Sequence, residues 1–355
     1  MSYAWIRWIF NKPLKNEQKI ARNLQTEQVK IDASNVESVP SEELNIDQKS
    51  LYTEELESAF FSWLLDSPIP PPTIEAKHVN NTELDDKKRK LLKFIKHDLK
   101  DSILIPRQPS SLPMLIKLLN DENSSHTQIS KILLSDPALM SQILKTANSS
   151  FFRRSSDDVE SIEQAVFILG RQGVRNIISS TIMLPMLKGD GSKEGPFSQR
   201  AWKWATFSAT ASHWYAQVKG RDPGPLYLLG LLPSLAYLVI YRTLLGYEKT
   251  HPELGEIEPY LIKSIIHHQS WKLCHDICKQ WGLPSSCETY LLEAEESTLD
   301  AVFSPLRDGI ILGQHKLLQS QSGSPLQDNQ LVNITCASMN TNLKVLERMK
   351  RKNDD

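Results

Sequence analysis

The sequence predicts an all-α fold, a multi-helix bundle, and three observations support this prediction. Helix start and stop signals recur from about residue 111 to residue 187. Strand-like alternation of apolar and polar residues is absent from the same stretch. Residues 225–241 form an uncharged apolar run at the bottom of the membrane-spanning range, and runs of that length are usually buried core helices.

Length, charge and cysteine content narrow the class of protein. The chain has 355 residues, which suggests one large domain with extensions, or two domains. Lys and Arg total 41 against 42 Asp and Glu, and this near-neutral balance argues against a nucleic-acid binder, which needs a basic surplus. The four cysteines lack the paired short spacing of a secreted disulfide scaffold. We therefore expect a cytoplasmic protein in a reducing compartment.

The first 85 residues are predicted to be an extension. Residues 1–10 are rich in aromatic side chains around Arg7 and lack the features of a signal peptide. They either dock on the folded body or touch a membrane surface, and docking is the preferred interpretation. Residues 11–50 contain no aromatic residue and no glycine, so we expect disorder.

A short amphipathic helix is predicted over residues 51–65, with Leu56, Phe60 and Leu64 on one face. It either docks on the main domain, which we prefer, or acts as a detachable partner-binding motif. The proline-rich residues 67–72 follow as a stiff spacer. The predicted organisation is therefore an extension, an all-α domain and a C-terminal loop and helix, at residues 1–85, 86–320 and 321–355.

The all-α domain is predicted to open with a basic amphipathic helix over residues 87–100. Such a helix either lies on an anionic surface or forms a solvated face, and the nearby acidic residues favour the second interpretation. At the other end, residues 306–318 are predicted to form a closing helix, and residues 331–349 a last helix after a polar loop.

Local signals place several helix ends. Two Ser-x-x-Gln patterns predict capping boxes, at Ser125 and at Ser161. Asp136 and Pro137 combine an N-cap with a first-turn proline. Further along, Asn148 and Ser149 are expected to close one helix, and Gly170 to stop the next.

These motifs, taken in order, resemble the first half of the HDOD family, the HD-related output domain of bacterial signalling proteins. The resemblance covers roughly residues 105–300, more loosely after residue 187. The segments that carry it are Ser111-Leu112-Pro113, Ser135-Asp136-Pro137-Ala138-Leu139, Lys145-Thr146-Ala147-Asn148-Ser149-Ser150-Phe151, Ser161-Ile162-Glu163-Gln164-Ala165, Leu169-Gly170 and Val174-Arg175-Asn176.

The resemblance implies a fold derived from metal-dependent phosphohydrolases. In that superfamily a His, a His-Asp pair and a further Asp hold a divalent metal that acidifies bound water. The Gly-Leu-Leu-His-Asp pattern falls here on residues 230–234, so Pro233 and Ser234 replace the pair. The preceding His falls at Trp204, and another His of some relatives falls at Ser270. None of these residues takes a metal in that role.

The resemblance therefore implies a non-catalytic regulatory protein that acts through protein partners in a signalling pathway. We expect no cofactor, no catalytic residue and no nucleic-acid contact. A small molecule or nucleotide could gate the protein in a vestigial pocket near Trp204, Pro233, Ser234 and Ser270. The family-signature residues are expected to be structural: Asp136, Pro137, Asn148, Ser149, Gly170, Arg175 and Asn176.

Two other functions remain open at this point. The first is a divergent phosphohydrolase that holds its metal with ligands such as His213, His267 or His268. Elemental analysis would detect the bound metal. The second is a peripheral membrane adaptor held by residues 1–10. Zinc binding near Cys274 and Cys278 is disfavoured, because helical core cysteines are common at this spacing.

Overall fold

A computed structural model describes residues 46–69, 82–100, 106–120, 125–134, 137–149, 158–189, 193–296 and 304–319. Within these ranges every regular element is helical, which confirms the all-α prediction. Our predictions for residues 1–10, for residues 11–45, for Asp136 and for the helix at 331–349 concern parts of the chain outside the described residues.

The described part of the chain contains eleven α-helices and one short 3-10 helix, Pro252–Leu254, after the eighth. The α-helices are α1 (Ile46–Leu65), α2 (Thr82–Lys100), α3 (Leu112–Asn120), α4 (His126–Leu133), α5 (Pro137–Ala147), α6 (Ile162–Met186), α7 (Glu194–Val218), α8 (Leu226–Thr250), α9 (Pro259–Gln280), α10 (Ser285–Glu296) and α11 (Pro305–Gln319).

The first helix is longer than predicted. It begins at Ile46 rather than at Leu51, so residues 46–50, which we expected to be disordered, are helical. These residues are mostly polar, which is why a search for an apolar face misses them. The prediction that the helix docks is confirmed, because α1 packs against α7, α9 and α11.

Two of the predicted caps are visible in atomic detail. Ser125 and Gln128 form a reciprocal capping box before α4: the Ser125 N–H donates to Gln128 Oε1 at 2.7 Å, and the Gln128 N–H donates to Ser125 Oγ at 3.2 Å. Before α6, Ser161 Oγ accepts the N–H of Gln164 at 3.1 Å. Both helices begin where these signals predicted.

The described residues divide into two compact units. The smaller contains α4, α5 and α6 up to Val174; the larger contains α1–α3, the rest of α6 and α7–α11. Gly170, the predicted stop, is a kink inside α6 with φ 66° and ψ 170°. Residues with a side chain rarely adopt this positive φ, so glycine is the residue that fits the kink.

In the larger unit, α7 packs against both α8 and α11. A Cβ added at Gly230 of α8 would lie 2.5 Å from Ala209 Cα, and one added at Gly309 of α11 would lie 2.6 Å from Ser212 Cα. The three backbones therefore approach closely. The small α7 residues that lie against these glycines are Ser208, Ala209 and Ser212.

Among the described helices, α8 is long and apolar enough to cross a membrane by length and composition. In the fold, 78% of its apolar window is buried. This burial is what the prediction of a core helix requires.

We expect Gly309→Ala to lower the free energy of unfolding by about 1–3 kcal/mol, because the added Cβ meets the backbone of α7. Urea-induced unfolding measures the change. The matched control is Gly246→Ala in α8, where the added Cβ has nothing within 4 Å. There the helix propensity of alanine should raise stability by up to about 1 kcal/mol. Equal losses in both variants would contradict the close approach of α11 to α7.

Candidate functional site

The residues at the expected metal-ligand positions are buried in the larger unit. Trp204 lies on α7 with 1% of its surface exposed, and Pro233 and Ser234 lie inside α8, which continues through the proline. The indole N–H of Trp204 donates to the Ile310 carbonyl at 3.5 Å, and the Ser234 hydroxyl donates to the Leu231 carbonyl at 2.7 Å. The indole N–H of Trp204 and the hydroxyl of Ser234 thus both donate to backbone carbonyls of helices.

Aromatic rings from α1 pack against this region. The ring of Phe60 lies 4.9 Å from that of Trp204, and the ring of Phe61 stacks on Tyr237 at 5.6 Å. Trp204 and Tyr237 are themselves 4.8 Å apart. We call these four residues the aromatic plug. Tyr237 follows Pro233 by one helical turn, so the plug covers the same side of α8 as the replaced pair.

A polar cluster holds α1 to α9 beside the plug. Glu57 lies 2.9 Å from His267 Nδ1 and 3.7 Å from Lys263 Nζ, and Lys263 also donates to Ser58 Oγ at 2.9 Å. We call Glu57, Ser58, Lys263 and His267 the polar latch. Its glutamate is mostly buried, whereas its histidine is largely exposed.

The latch shifts the pKa of both titrating partners. Burial alone would raise the pKa of Glu57, but the hydrogen bond from His267 and the nearby positive charges lower it overall. The hydrogen bond to Glu57 raises the pKa of His267, against the effects of burial and of Lys263 and Lys88. Both shifts favour the charged pair.

Ser270, the fourth residue of the predicted vestigial pocket, is buried on α9, the helix that carries Lys263 and His267. The structure therefore places all four predicted pocket residues in packed surroundings. That they form a ligand pocket stays a prediction.

The first group of signature residues lies around α5. Pro137 is its first residue, as the N1 proline signal predicted. After the helix, Asn148 Nδ2 donates to the Val159 carbonyl at 2.8 Å and Asn148 Oδ1 accepts the Val159 N–H at 2.6 Å. Ser149 Oγ donates to the Thr146 carbonyl at 2.6 Å. Asn148 thus ties the residues after α5 to those before α6.

The second group lies on α6. Arg175 is 6% exposed, and its Nε donates to the Leu118 carbonyl at 2.8 Å, with a second bond from Nη2. Leu118 belongs to the last turn of α3, where a cation stabilises the negative end of the helix dipole. Asn176 beside it is partly buried. Arg175 therefore links α6 to α3, and the structural role expected for the signature residues stays a prediction.

Sequence reasoning missed a polar cluster at the loop between α7 and α8. Arg221 forms two bonds to Glu293, at 2.7 and 2.8 Å, and its guanidinium lies 4.6 Å from the ring centre of Tyr290. The Tyr290 hydroxyl donates to the Asp222 carbonyl at 3.0 Å, and Asp222 Oδ1 accepts the N–H of Gly224 at 2.8 Å. The local signal was the Asp-Pro-Gly turn, but no spacing in the sequence indicates the partners on α10.

The alternative metal ligands are engaged or dispersed. His213 Nδ1 lies 3.3 Å from the Pro223 carbonyl, and His268 is exposed. The thiols of Cys274, Cys278 and Cys287 are buried, and burial raises the pKa of each, that of Cys287 to about 12. Protonated thiols are poor ligands. Within the described ranges, no three His, Cys, Asp or Glu side chains are grouped to hold a metal.

The polar latch makes a pH-dependent contribution to stability. Glu57 contributes above its unfolded pKa of about 4.5, and the contribution is lost as pH falls through its lowered folded value. His267 contributes below its unfolded pKa of about 6.5, and the contribution is lost as pH rises through its raised folded value. The latch is therefore strongest between about pH 4.5 and 6.5.

We expect His267→Gln to reduce the free energy of unfolding at about pH 5.5 and to have little effect at about pH 9. Urea unfolding at the two pH values measures this. The control is His268→Gln, at the exposed neighbouring position. A loss of the same size at both pH values would show that the charge on His267 is not what stabilises the contact.

The HDOD domain family matches residues 105–296, more than half of the chain. No curated protein matches the sequence. Among solved structures, an HDOD domain protein of unknown function from Geobacter sulfurreducens superposes with a TM-score of 0.53 at 15% identity, over 75% of this chain and 96% of that one.

Two other solved structures are similar. A candidate metal-dependent phosphohydrolase from Shewanella amazonensis SB2B has a TM-score of 0.51 at 20% identity, over 70% of this chain and 89% of that one. A candidate signal transduction protein from Marinobacter aquaeolei VT8 has a TM-score of 0.48 at 18% identity, over 86% and 65% of the two chains. At 15% and 20% identity, the Geobacter and Shewanella structures show only that the fold is similar. With the family match spanning residues 105–296, the chain belongs to the HDOD domain family.

Proposed function

We propose that this HDOD protein is a non-catalytic regulator that acts through protein contacts in a bacterial signalling pathway. The supporting observation is the chemistry at the expected metal positions. A catalytic metal needs several nitrogen or oxygen ligands and one open position for water or substrate. Trp204 and Pro233 supply no ligand atom, and Ser234 supplies only a neutral hydroxyl.

The aromatic plug adds a second, steric argument. Phe60 and Phe61 are fully buried where α1 meets α7 and α8, and their rings contact Trp204 and Tyr237. A divalent cation does not fit such apolar surroundings, because charge without ligands is expensive to bury.

The phosphohydrolase function in the name of the Shewanella protein belongs to that protein. To be active in the same way, this chain would need other ligands. His267 is engaged by Glu57, and His213 faces the Pro223 carbonyl. The arrangement therefore favours a role in binding over a role in hydrolysis.

The proposal includes a cytoplasmic location. Cys274, Cys278 and Cys287 are free thiols within the described residues. Free buried thiols are compatible with a reducing compartment, where disulfides rarely persist.

Elemental analysis tests the loss of metal chemistry. The full chain, purified without chelator from cells supplied with iron, manganese and nickel, should carry less than about 0.1 metal ion per chain, because the ligand positions supply too few donor atoms. It should also fail to hydrolyse bis(p-nitrophenyl) phosphate and cyclic dinucleotides, whereas a known metal-dependent phosphodiesterase, assayed in parallel, should hydrolyse them. Stoichiometric metal together with hydrolysis would overturn the proposal.

Affinity purification tests the part of the proposal that concerns protein contacts. The tagged full chain, expressed at its natural level in its own cells, should retain at least one signalling protein in near-stoichiometric amount. A tagged, unrelated helical protein of similar size serves as the control. Recovery of chaperones alone would count against regulation through a stable partner.

A further inference from the structure

A pocket of about 280 Å³ lies between the end of α1 and the first half of α7. The α7 residues that line it, Pro196, Gln199, Arg200 and Lys203, are spaced three, four and seven positions from the first, so they share one stripe of the helix. Trp63 of α1 forms the facing wall. None of these lining residues belongs to the predicted vestigial pocket, whose Trp204 is buried within the aromatic plug.

The lining combines two cations with an indole. Trp63 is half-buried, and its ring lies 6.3 Å from that of Phe60, so the plug helps to position it. Arg200 pairs with Asp66 at 2.7 Å and donates to the Leu64 carbonyl at 3.5 Å. Because 77% of the Asp66 side chain is exposed, solvent weakens the ion pair, and an incoming anion can compete with the carboxylate.

The environment of Lys203 also favours an anion. Its side chain is half-buried, and burial lowers the pKa of its amine. A negative charge bound nearby would offset this desolvation and favour the protonated amine. Arg200 and Lys203 together supply the donors that phosphate oxygens prefer.

We propose that this pocket binds a small organic anion with a flat ring, of the chemistry of a nucleoside monophosphate. The ring stacks on Trp63, and the phosphate lies between Arg200 and Lys203. Aromatic side chains stack on any nucleobase, because every base has a π-face. The volume is at the low end for ligand pockets, which favours a mononucleotide over a dinucleotide. The inference does not rest on the proposed function.

Binding at this site has a structural consequence. The ligand would touch Trp63 of α1 and Arg200 and Lys203 of α7, so it would bridge two helices that the plug already joins. A ligand that binds only the folded state raises the unfolding temperature by mass action. A nucleotide should therefore stabilise the docked position of α1.

Isothermal titration calorimetry on the full chain tests the proposal, with adenosine monophosphate, inorganic phosphate and adenosine as probes. We expect adenosine monophosphate to bind at least about tenfold more tightly than either fragment, because only it has both ring and charge. Lys203→Met, which keeps the aliphatic stem, should weaken its binding by about tenfold or more. The control is Lys249→Met at an exposed position on α8.

Thermal melts followed by circular dichroism would show that each variant is folded. Trp63→Leu should weaken the binding of adenosine monophosphate more than the binding of phosphate. Because this substitution also removes the ring contact between Trp63 and Phe60 on α1, Lys203→Met is the decisive variant. Absence of heat with adenosine monophosphate up to about 1 mM would overturn the proposal. So would equal affinity for phosphate and adenosine monophosphate, or unchanged affinity in folded Lys203→Met.

Discussion

The larger unit depends on how closely α7 approaches its two neighbours. Gly230 on α8 and Gly309 on α11 face small residues of α7, so backbone meets backbone where side chains would normally intervene. Close packing of this kind gives many weak contacts that act together. Because α7 is held from two sides, the backbone position of each of its residues is set as well, including Trp204 and the stripe from Pro196 to Lys203.

Helix α1 packs on one of the positions where the family resemblance would place a metal ligand. A metal centre of that kind would need ligands from several helices held in one geometry. Here an indole, a proline and a hydroxyl stand at those positions, and α1 fills the neighbourhood with Phe60 and Phe61. Trp204 therefore contributes to packing, through its contact with the ring of Phe60.

Much of the fold could be predicted from local sequence, because its signals act over a few residues. The capping box at Ser125, the N1 proline at Pro137 and the kink at Gly170 each depend on short-range geometry. Polar residues 46–50 were missed, since they lack an apolar face. The small residues of α7 are visible in the sequence, but their spacing alone does not indicate which helices approach them.

The candidate site was harder to predict, because its contacts join distant parts of the chain. The hydrogen bond between Lys263 and Ser58 spans 205 residues, and that between His267 and Glu57 spans 210. No spacing in one sequence indicates such pairs. The family pattern identified Trp204, Pro233 and Ser234, but it did not indicate that Phe60 of α1 packs on Trp204.

The position of α1 in the sequence affects where the chain can be cut without exposing buried residues. The family match begins at residue 105 and ends at residue 296. Helix α1 precedes the match and α11 follows it, and both pack against α7. A fragment cut at the limits of the match would present Trp204 and Tyr237 to water and leave Lys263 without its carboxylate partner. The residues of the family match therefore do not include all the helices that pack against α7.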